Sequence, residues 1–497
     1  MPTETQPKWL TQTTRPSRIS EWWRQFSSWA FTYIRPRRSI KYYFSVAAVL
    51  YVAYCFIRGS PLFASKLPAY SGPYDVGAVD IEVPLEKPRR ISETTFKGTD
   101  EPAFEHETTL FTLYYPVDKA AKALRPRHPW IARPISITAE GFAKFAHVNN
   151  FIIRPIFTFA LWAIAGSVTI PAKVDAPLLS STNESKTKFP VMVFSHGMAS
   201  SRTDYTNYIG ELASQGHVIA AIEHRDGSCP GTIIKKKGQK DRTVIHFKEG
   251  DLTSMETPQM KKEQLAFRDA EIFDTIKILH SINEGKGSDT FASNPRSEGS
   301  TLETWTSRLN LDQLTIGGHS YGATGALQAL KSAPKVTPAI GGIILDAGKE
   351  SGPLNPDIDV PILVVNSNSW SSSVSIFFGR PHFDTVRDIV RDTLNRTGAA
   401  WFLTSLGTSH PSVTDAPLLE PWLLSWTTGA RMNTKEGLRE YVKVSSEFLD
   451  YLGTKKMTGL LEEPATHEKY GTWVSDERKA AFPKSLARLW EVHVSPQ

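Results

Sequence analysis

The sequence predicts an α/β fold in which a mostly parallel sheet is covered by helices on both faces. Two observations lead there. Runs such as FPVMVFSHG (189–197), HVIAAIEHRD (217–226), LDQLTIGG (311–318), AIGGIILDA (339–347), VPILVVNS (360–367) and AAWFLTSLG (399–407) are apolar nearly throughout instead of alternating, as strands buried on both faces are. Between them lie stretches of helical period. TDYTNYIGELASQG (203–216) closes on a glycine, and KKEQLAFRDAEIFDTIKILHSI (261–282) sets Leu265, Ile272, Phe273, Ile276 and Leu279 on one side. Strands that alternate with helices are joined by crossovers and therefore run parallel. An earlier run, TTLFTLYYPVD (108–118), alternates and closes near a proline, as a strand does.

This texture begins near residue 72; what precedes it is different. The chain has 497 residues, 40% of them hydrophobic and 22% charged, enough for one large domain with extensions or for two ordinary ones. Its net charge of +6 is concentrated at the start: eight Lys or Arg lie between Lys8 and Lys41, against Glu21 alone. Without that arm the chain is close to neutral, which argues against a nucleic-acid partner and for a membrane-flanking segment. Trp22, Phe26, Trp29, Ala30 and Tyr33 recur at helical spacing, as in a helix lying on a membrane surface. YYFSVAAVLYVAYCFI (42–57) then carries no charge between Lys41 and Arg58. Sixteen residues fall short of the about 20 of a typical span, but Tyr42, Tyr43 and snorkelling end cations suit a short one. A cleaved signal and a core helix are the alternatives; a signal's apolar region rarely lies so far in, and a core helix would show a polar face. As an anchor, 42–58 would leave the basic arm in the cytosol and the remainder lumenal or extracellular.

The expected organisation is therefore a basic aromatic arm (1–41), a transmembrane anchor (42–58), an α/β domain (72–450) and an extension (451–497) with no assigned role. PIFTFALWAIAGSVTI (155–170) reads as a buried or interfacial helix and not as a second span. Cys55 and Cys229 are the only cysteines, too few for a zinc or thiol-redox site and badly placed for a disulfide. Asn183 and Asn395 fit the glycosylation triplet.

Within the α/β domain, Gly318-His319-Ser320-Tyr321-Gly322 stands between a predicted strand and a predicted helix. G-x-S-x-G in that setting lifts a serine above the strand ends on a turn too sharp for neighbouring Cβ atoms. A serine needs a histidine to take its proton and an acid to orient that histidine. Asp346 ends the next strand, whereas VPILVVNS opens into Asn366, Ser367 and Asn368 with no carboxylate. Asp357 and Asp359 precede a strand and read as turn residues. His410 follows AAWFLTSL; the rival His382 precedes that strand, so it would sit low or in a mobile loop, and His319 would point away from its own serine. The expected triad is Ser320 as nucleophile, Asp346 as acid and His410 as base. Ser195-His196-Gly197-Met198 ends the first strong strand where an oxyanion loop belongs, so the backbone N–H groups of Met198 and Tyr321 are the expected donors. His196 reads as a brace for that loop. Glu223 and Arg225 in EHRDGS either pair to fix their loop or shape the pocket rim.

GSVTIPAKVDAPL (166–178), VMVFSHGMASSRTDY (191–205), ELASQGHVIAAIEHRDGS (211–228), IGGHSYGAT (316–324) and GIILDA (342–347) resemble, in order, blocks of the plasma-type platelet-activating-factor acetylhydrolases, the group VII phospholipases A2. The resemblance covers roughly 72–450 and implies an α/β-hydrolase fold. It places triad and oxyanion donors on the same residues, Ser320, Asp346, His410, Met198 and Tyr321. It further implies calcium-independent hydrolysis, through an acyl-enzyme, of the sn-2 ester of phospholipids carrying short or oxidised acyl chains, with no metal or other cofactor. AGKESGPLN after Asp346 lacks the aromatic run of the family, and SHPSVTDAPLL from His410 matches it loosely. A neutral-lipid lipase or carboxylesterase with the same triad is the alternative. An inactive hydrolase fold acting as a membrane interaction module is a third reading, against which both Ser320 and His410 speak.

Overall fold

The structure, a computed structural model, describes residues 21–25, 27–28, 40–58, 60–180, 188–421 and 428–496. The chain divides into two units, Met1–Ser60 and Pro61–Gln497. In the first, α1 (Ile40–Arg58) has 19 residues and is, by length and composition, the one described helix able to cross a membrane. Trp22 lies in a short helical stretch, whereas Phe26, Trp29, Ala30 and Tyr33 lie outside the described residues, as does Asn183. Both cysteines are free thiols.

In the second unit the chain runs β1 (Asp75–Arg90), β2 (Glu105–Val117), α2 (Ile135–Phe145), α3 (Ile153–Ala165), β3 (Lys173–Val174), β4 (Phe189–Ser195), α4 (Thr206–Ser214) and β5 (Val218–Ile222). After a hairpin, β6 (Gly231–Ile234) and β7 (Arg242–Ile245), come α5 (Thr257–Ser281), β8 (Leu309–His319), α6 (Tyr321–Ala329), β9 (Ala339–Leu345) and β10 (Ile362–Ser367). The series ends with α7 (Asn368–Ser372), α8 (His382–Thr397), β11 (Ala400–Ser405), α9 (Thr434–Thr454) and β12 (Trp490–Val494). A ten-stranded sheet has the order β12-β11-β10-β9-β8-β4-β5-β2-β1-β3. From β11 to β5 neighbouring strands pair in parallel, and β12 and β2 close that block antiparallel.

The unbroken apolar runs have a direct cause. Val191 and Val193 pack into the core on one face of the sheet, and Met192 and Phe194 into the core on the other. Ile362 and Val364 alternate with Leu363 and Val365 in the same way. Positions 191–194 and 362–365 are buried on both faces of the sheet, and all eight are apolar.

One expectation changes, and another narrows. The domain does not end near 450: β12, within the supposed extension, pairs with β11 from Phe402↔Val494 to Ser405↔Trp490 and completes the sheet. The stretch expected as a buried or interfacial helix is α3, of which only Ala163 and Ala165 are buried, while Phe151, Ile152, Ile156, Phe159 and Trp162 beside or on it are exposed.

Candidate active site

Ser320 sits between β8 and α6 with φ 56° and ψ −119°, a conformation an L-residue adopts only when its surroundings hold it. The flanking glycines are steric necessities. A Cβ on Gly318 would lie 2.2 Å from the carbonyl oxygen of Gly322, and one on Gly322 would lie 2.0 Å from that of Ser195. Strand, turn and helix are packed so closely that the serine is the one residue of Gly318–Gly322 that is not buried.

Three parallel strands bring the other groups to the same edge. Asp346 follows β9, and His410 lies in the loop after β11. Ser320 Oγ–H donates to His410 Nε2 at 3.0 Å, and His410 Nδ1–H donates to Asp346 Oδ2 at 2.8 Å. The backbone N–H and the hydroxyl of Ser367, at the end of β10, both donate to the same carboxylate. Burial alone would raise the Asp346 carboxyl, but the neighbouring His319 and His410 side chains outweigh it and hold it well below the usual range. It is therefore an anion at neutral pH, as a group orienting a histidine must be.

The imidazole of His410 is held on both faces. Trp370, in α7, stacks on it with centroids 4.0 Å apart and planes 12° apart, and His319 lies on the other side at 4.5 Å. Burial, reinforced by His410, lowers His319 to about 4, so it is neutral there. Tyr205 donates its hydroxyl to His319 Nδ1 at 2.9 Å, leaving Nε2 to face Asp346 at 3.9 Å. His319 thus stands beside the histidine–aspartate pair. His382 is also nearer than its place in the sequence implied: it is buried, with its ring edge-on to Trp370 at 6.4 Å. It backs the tryptophan and has no contact with Ser320.

Met198 and Tyr321 line a cleft of about 500 Å³ together with Ser320, Lys261, Lys349 and Trp370. Among the described residues, no protein acceptor takes the backbone N–H of Met198 or Tyr321. The loop carrying Met198 is fixed from beneath. His196 donates Nδ1–H to the Gly197 carbonyl and accepts the His224 N–H, and Gly197 N–H donates to Tyr205. Below it lies a second serine–histidine–acid arrangement. Ser195 Oγ–H donates to His224 Nε2 at 2.7 Å, and His224 Nδ1–H donates to Glu271 at 2.6 Å. Burial pushes the Glu271 carboxyl up and the His224 imidazole down. All three residues are sealed from solvent, so what they hold is the loop and not a substrate. Arg268 completes the layer: it donates to the His196 carbonyl at 2.7 Å and pairs with Asp226 at 2.8 Å.

EHRDGS belongs to this framework, with partners the sequence did not indicate. Glu223 pairs with Arg202 and Arg225 with Glu82, not with each other, and all are buried and so no part of a rim. Trp370, His224, Arg268 and Glu271 were missed altogether. The tryptophan three residues beyond VVNS was a usable signal, since side chains at the carboxyl ends of parallel strands gather at one edge. Arg268 and Glu271 carried none, because a buried charge on a helix reads as a solvated face.

A parallel sheet covered on both faces, with a strained serine, a histidine and an aspartate joined at its carboxyl edge, defines the α/β-hydrolase class of serine ester hydrolases. The family model described as "Platelet-activating factor acetylhydrolase, isoform II" matches residues 62–459, and the chain belongs to that family. Similar proteins include a platelet-activating factor acetylhydrolase of Cavia porcellus, 27% identical over 318 residues (62% of either chain). One of the same name from Canis lupus familiaris is 30% identical over 54% of this chain and 52% of that one. A putative phospholipase A2 of Schizosaccharomyces pombe is 29% identical over 52% of this chain and 58% of that one. The matched region thus spans between about half and three fifths of these relatives' length. Among solved structures, a ferulic acid esterase from Streptomyces cinnamoneus shares the fold, with a TM-score of 0.50 and 16% identity, covering 81% of this chain and 96% of that one.

Proposed function

We propose that the chain is a membrane-tethered serine esterase that hydrolyses the sn-2 ester of phospholipids bearing short or oxidised acyl chains, without calcium. Ser320 Oγ attacks the ester carbonyl as His410 Nε2 takes its proton, and Asp346 holds the imidazolium that results. The N–H groups of Met198 and Tyr321 receive the charge that develops on the carbonyl oxygen. Collapse of the tetrahedral intermediate expels the lysophospholipid oxygen, which takes the proton from His410. A water activated by the same imidazole then releases the acyl group from Ser320. The observation that carries this reading is the unbroken relay from Oγ through Nε2 and Nδ1 to the carboxylate, at 3.0 and 2.8 Å. Family membership and the relatives' names favour phospholipid over other esters. The excess of Lys and Arg before α1 favours a cytosolic N-terminus with the α/β unit lumenal or extracellular.

The test is hydrolysis of phosphatidylcholines with an acetyl or a long sn-2 chain, with and without EDTA, beside Ser320→Ala. Turnover of the acetyl ester that survives EDTA and is lost in the variant is the expected result. Cleavage of triacylglycerols or simple esters but of no phospholipid would favour the lipase or carboxylesterase reading.

A further inference from the structure

Lys261 and Lys349 line the cleft that holds Ser320, and no described carboxylate comes within 4 Å of either ammonium group. Lys349 lies in the AGKES stretch that departs from the family's aromatic run. Its Nζ donates to the carbonyl oxygens of Trp370 and Ser373, 2.9 Å each, and lies 4.5 Å from the centre of the Trp370 ring. Three donors and two acceptors leave one N–H over. Lys261, near the start of α5, places its Nζ 4.9 Å from the ring centre of Tyr321, the residue after the serine. Both lysines are half-buried in the cleft that holds Ser320, where the exposed Glu350 is the lining carboxylate. Burial lowers both below the ordinary lysine value. Asp226, Glu249 and Glu350 attract Lys261, and Asp346 attracts Lys349, but none forms a direct ion pair. A partly desolvated cation without a direct partner is unfavourable, and an incoming anion with charge-assisted hydrogen bonds relieves it.

We propose that Lys261 and Lys349 form an anion-binding subsite that holds a phosphodiester or carboxylate of the substrate while its ester lies at Ser320. The proposal rests on the phospholipase reading and deepens it. A phospholipid carries its phosphodiester a few bonds from the sn-2 ester, and an acyl chain ending in a carboxylate presents the same chemistry from the other side. Neither anion is needed by the Ser320–His410–Asp346 relay itself, so the subsite governs which esters are held and not how they are cleaved.

The full chain in neutral detergent micelles is compared with the Lys261→Met, Lys349→Met double variant and with Lys349→Arg. The substrates are an sn-2 acetyl phosphatidylcholine, the corresponding neutral glyceride without phosphate, and a glyceride whose sn-2 acyl chain ends in a carboxylate. The readout is kcat/KM on each anionic ester divided by that on the neutral one. The double variant is expected to lower this ratio about tenfold or more, mainly through KM, and Lys349→Arg to keep most of it. A fall on the phosphatidylcholine alone assigns the subsite to the head group; a fall on the carboxylate alone assigns it to the acyl chain. A ratio unmoved on both overturns the proposal. If the unaltered chain cleaves no phospholipid, the phospholipase reading fails, and the carboxylate ratio still decides the lysines. Should the variants not fold, salt decides: kcat/KM of the unaltered chain must fall with ionic strength on an anionic ester and stay level on the neutral one. Equal salt dependence on both contradicts the subsite.

Discussion

The proposed reactivity of Ser320 depends on its company, and each neighbour has a separable effect. Asp346→Asn should keep the fold yet lower kcat about 10³–10⁴-fold, since the amide neither fixes the His410 tautomer nor supports its positive charge; steady-state kinetics beside an unchanged thermal transition checks this. Trp370 makes a subtler claim. Its face lies 4.0 Å from the His410 ring, where stacking and the attraction of a cation for an aromatic face each amount to about 1 kcal/mol. Trp370→Ala should then lower kcat on a small soluble ester about three- to tenfold with little change in KM, and Trp370→Phe should recover most of it. Equal kcat in both variants and the parent would remove the tryptophan from the account. Ser320, Asp346 and His410 were legible as candidates because each lies next to an apolar strand that the sequence displays openly. Trp370 offered only its place at the carboxyl edge of the parallel strands; that it faces a histidine 40 residues further on was not legible.

Among elements, the strands built from both cores were legible and those carrying buried charge were not. β1 contains Asp80 and Glu82, which pair inside the fold with Arg202, Arg225 and Arg296; as letters they look like a surface. The layer under the oxyanion loop depends on similar pairs. Arg268→Met leaves Asp226 buried without its partner, which should cost about 3–5 kcal/mol of stability, read as a fall in denaturation midpoint. β12 hides Glu491 in the same way. Burial pushes that carboxyl up from 4.5 to about 7, against a modest opposing hydrogen bond from Gly471. A raised carboxyl favours the folded state fully below pH 4.5, and that contribution is lost as pH rises through about 7. The Tm of Glu491→Gln should therefore gain on that of the parent between pH 5 and 8. A constant difference across that range would mean that Glu491 ionises in the fold as readily as in the unfolded chain.

On the scale of the whole molecule, a membrane-competent helix and an esterase fold stand in one chain. Full-length protein should float with phosphatidylcholine vesicles in a density gradient and resist extraction at high salt, because α1 is apolar and not merely basic; release by salt would reduce the N-terminal segment to an electrostatic arm. The fold class was readable from strand texture, but the true end of the domain was not, since an edge strand reached after 80 further residues is recognised only by its partner. The central claim is that Ser320 is the nucleophile of this fold, and covalent capture tests it most directly. The full chain is treated with a fluorophosphonate and the adduct located by peptide mass spectrometry. A single phosphonylated residue at Ser320, absent in Ser320→Ala and slowed in Asp346→Asn, is the predicted result. An adduct on another serine, or an unlabelled Ser320 in protein that still hydrolyses ester, would contradict it.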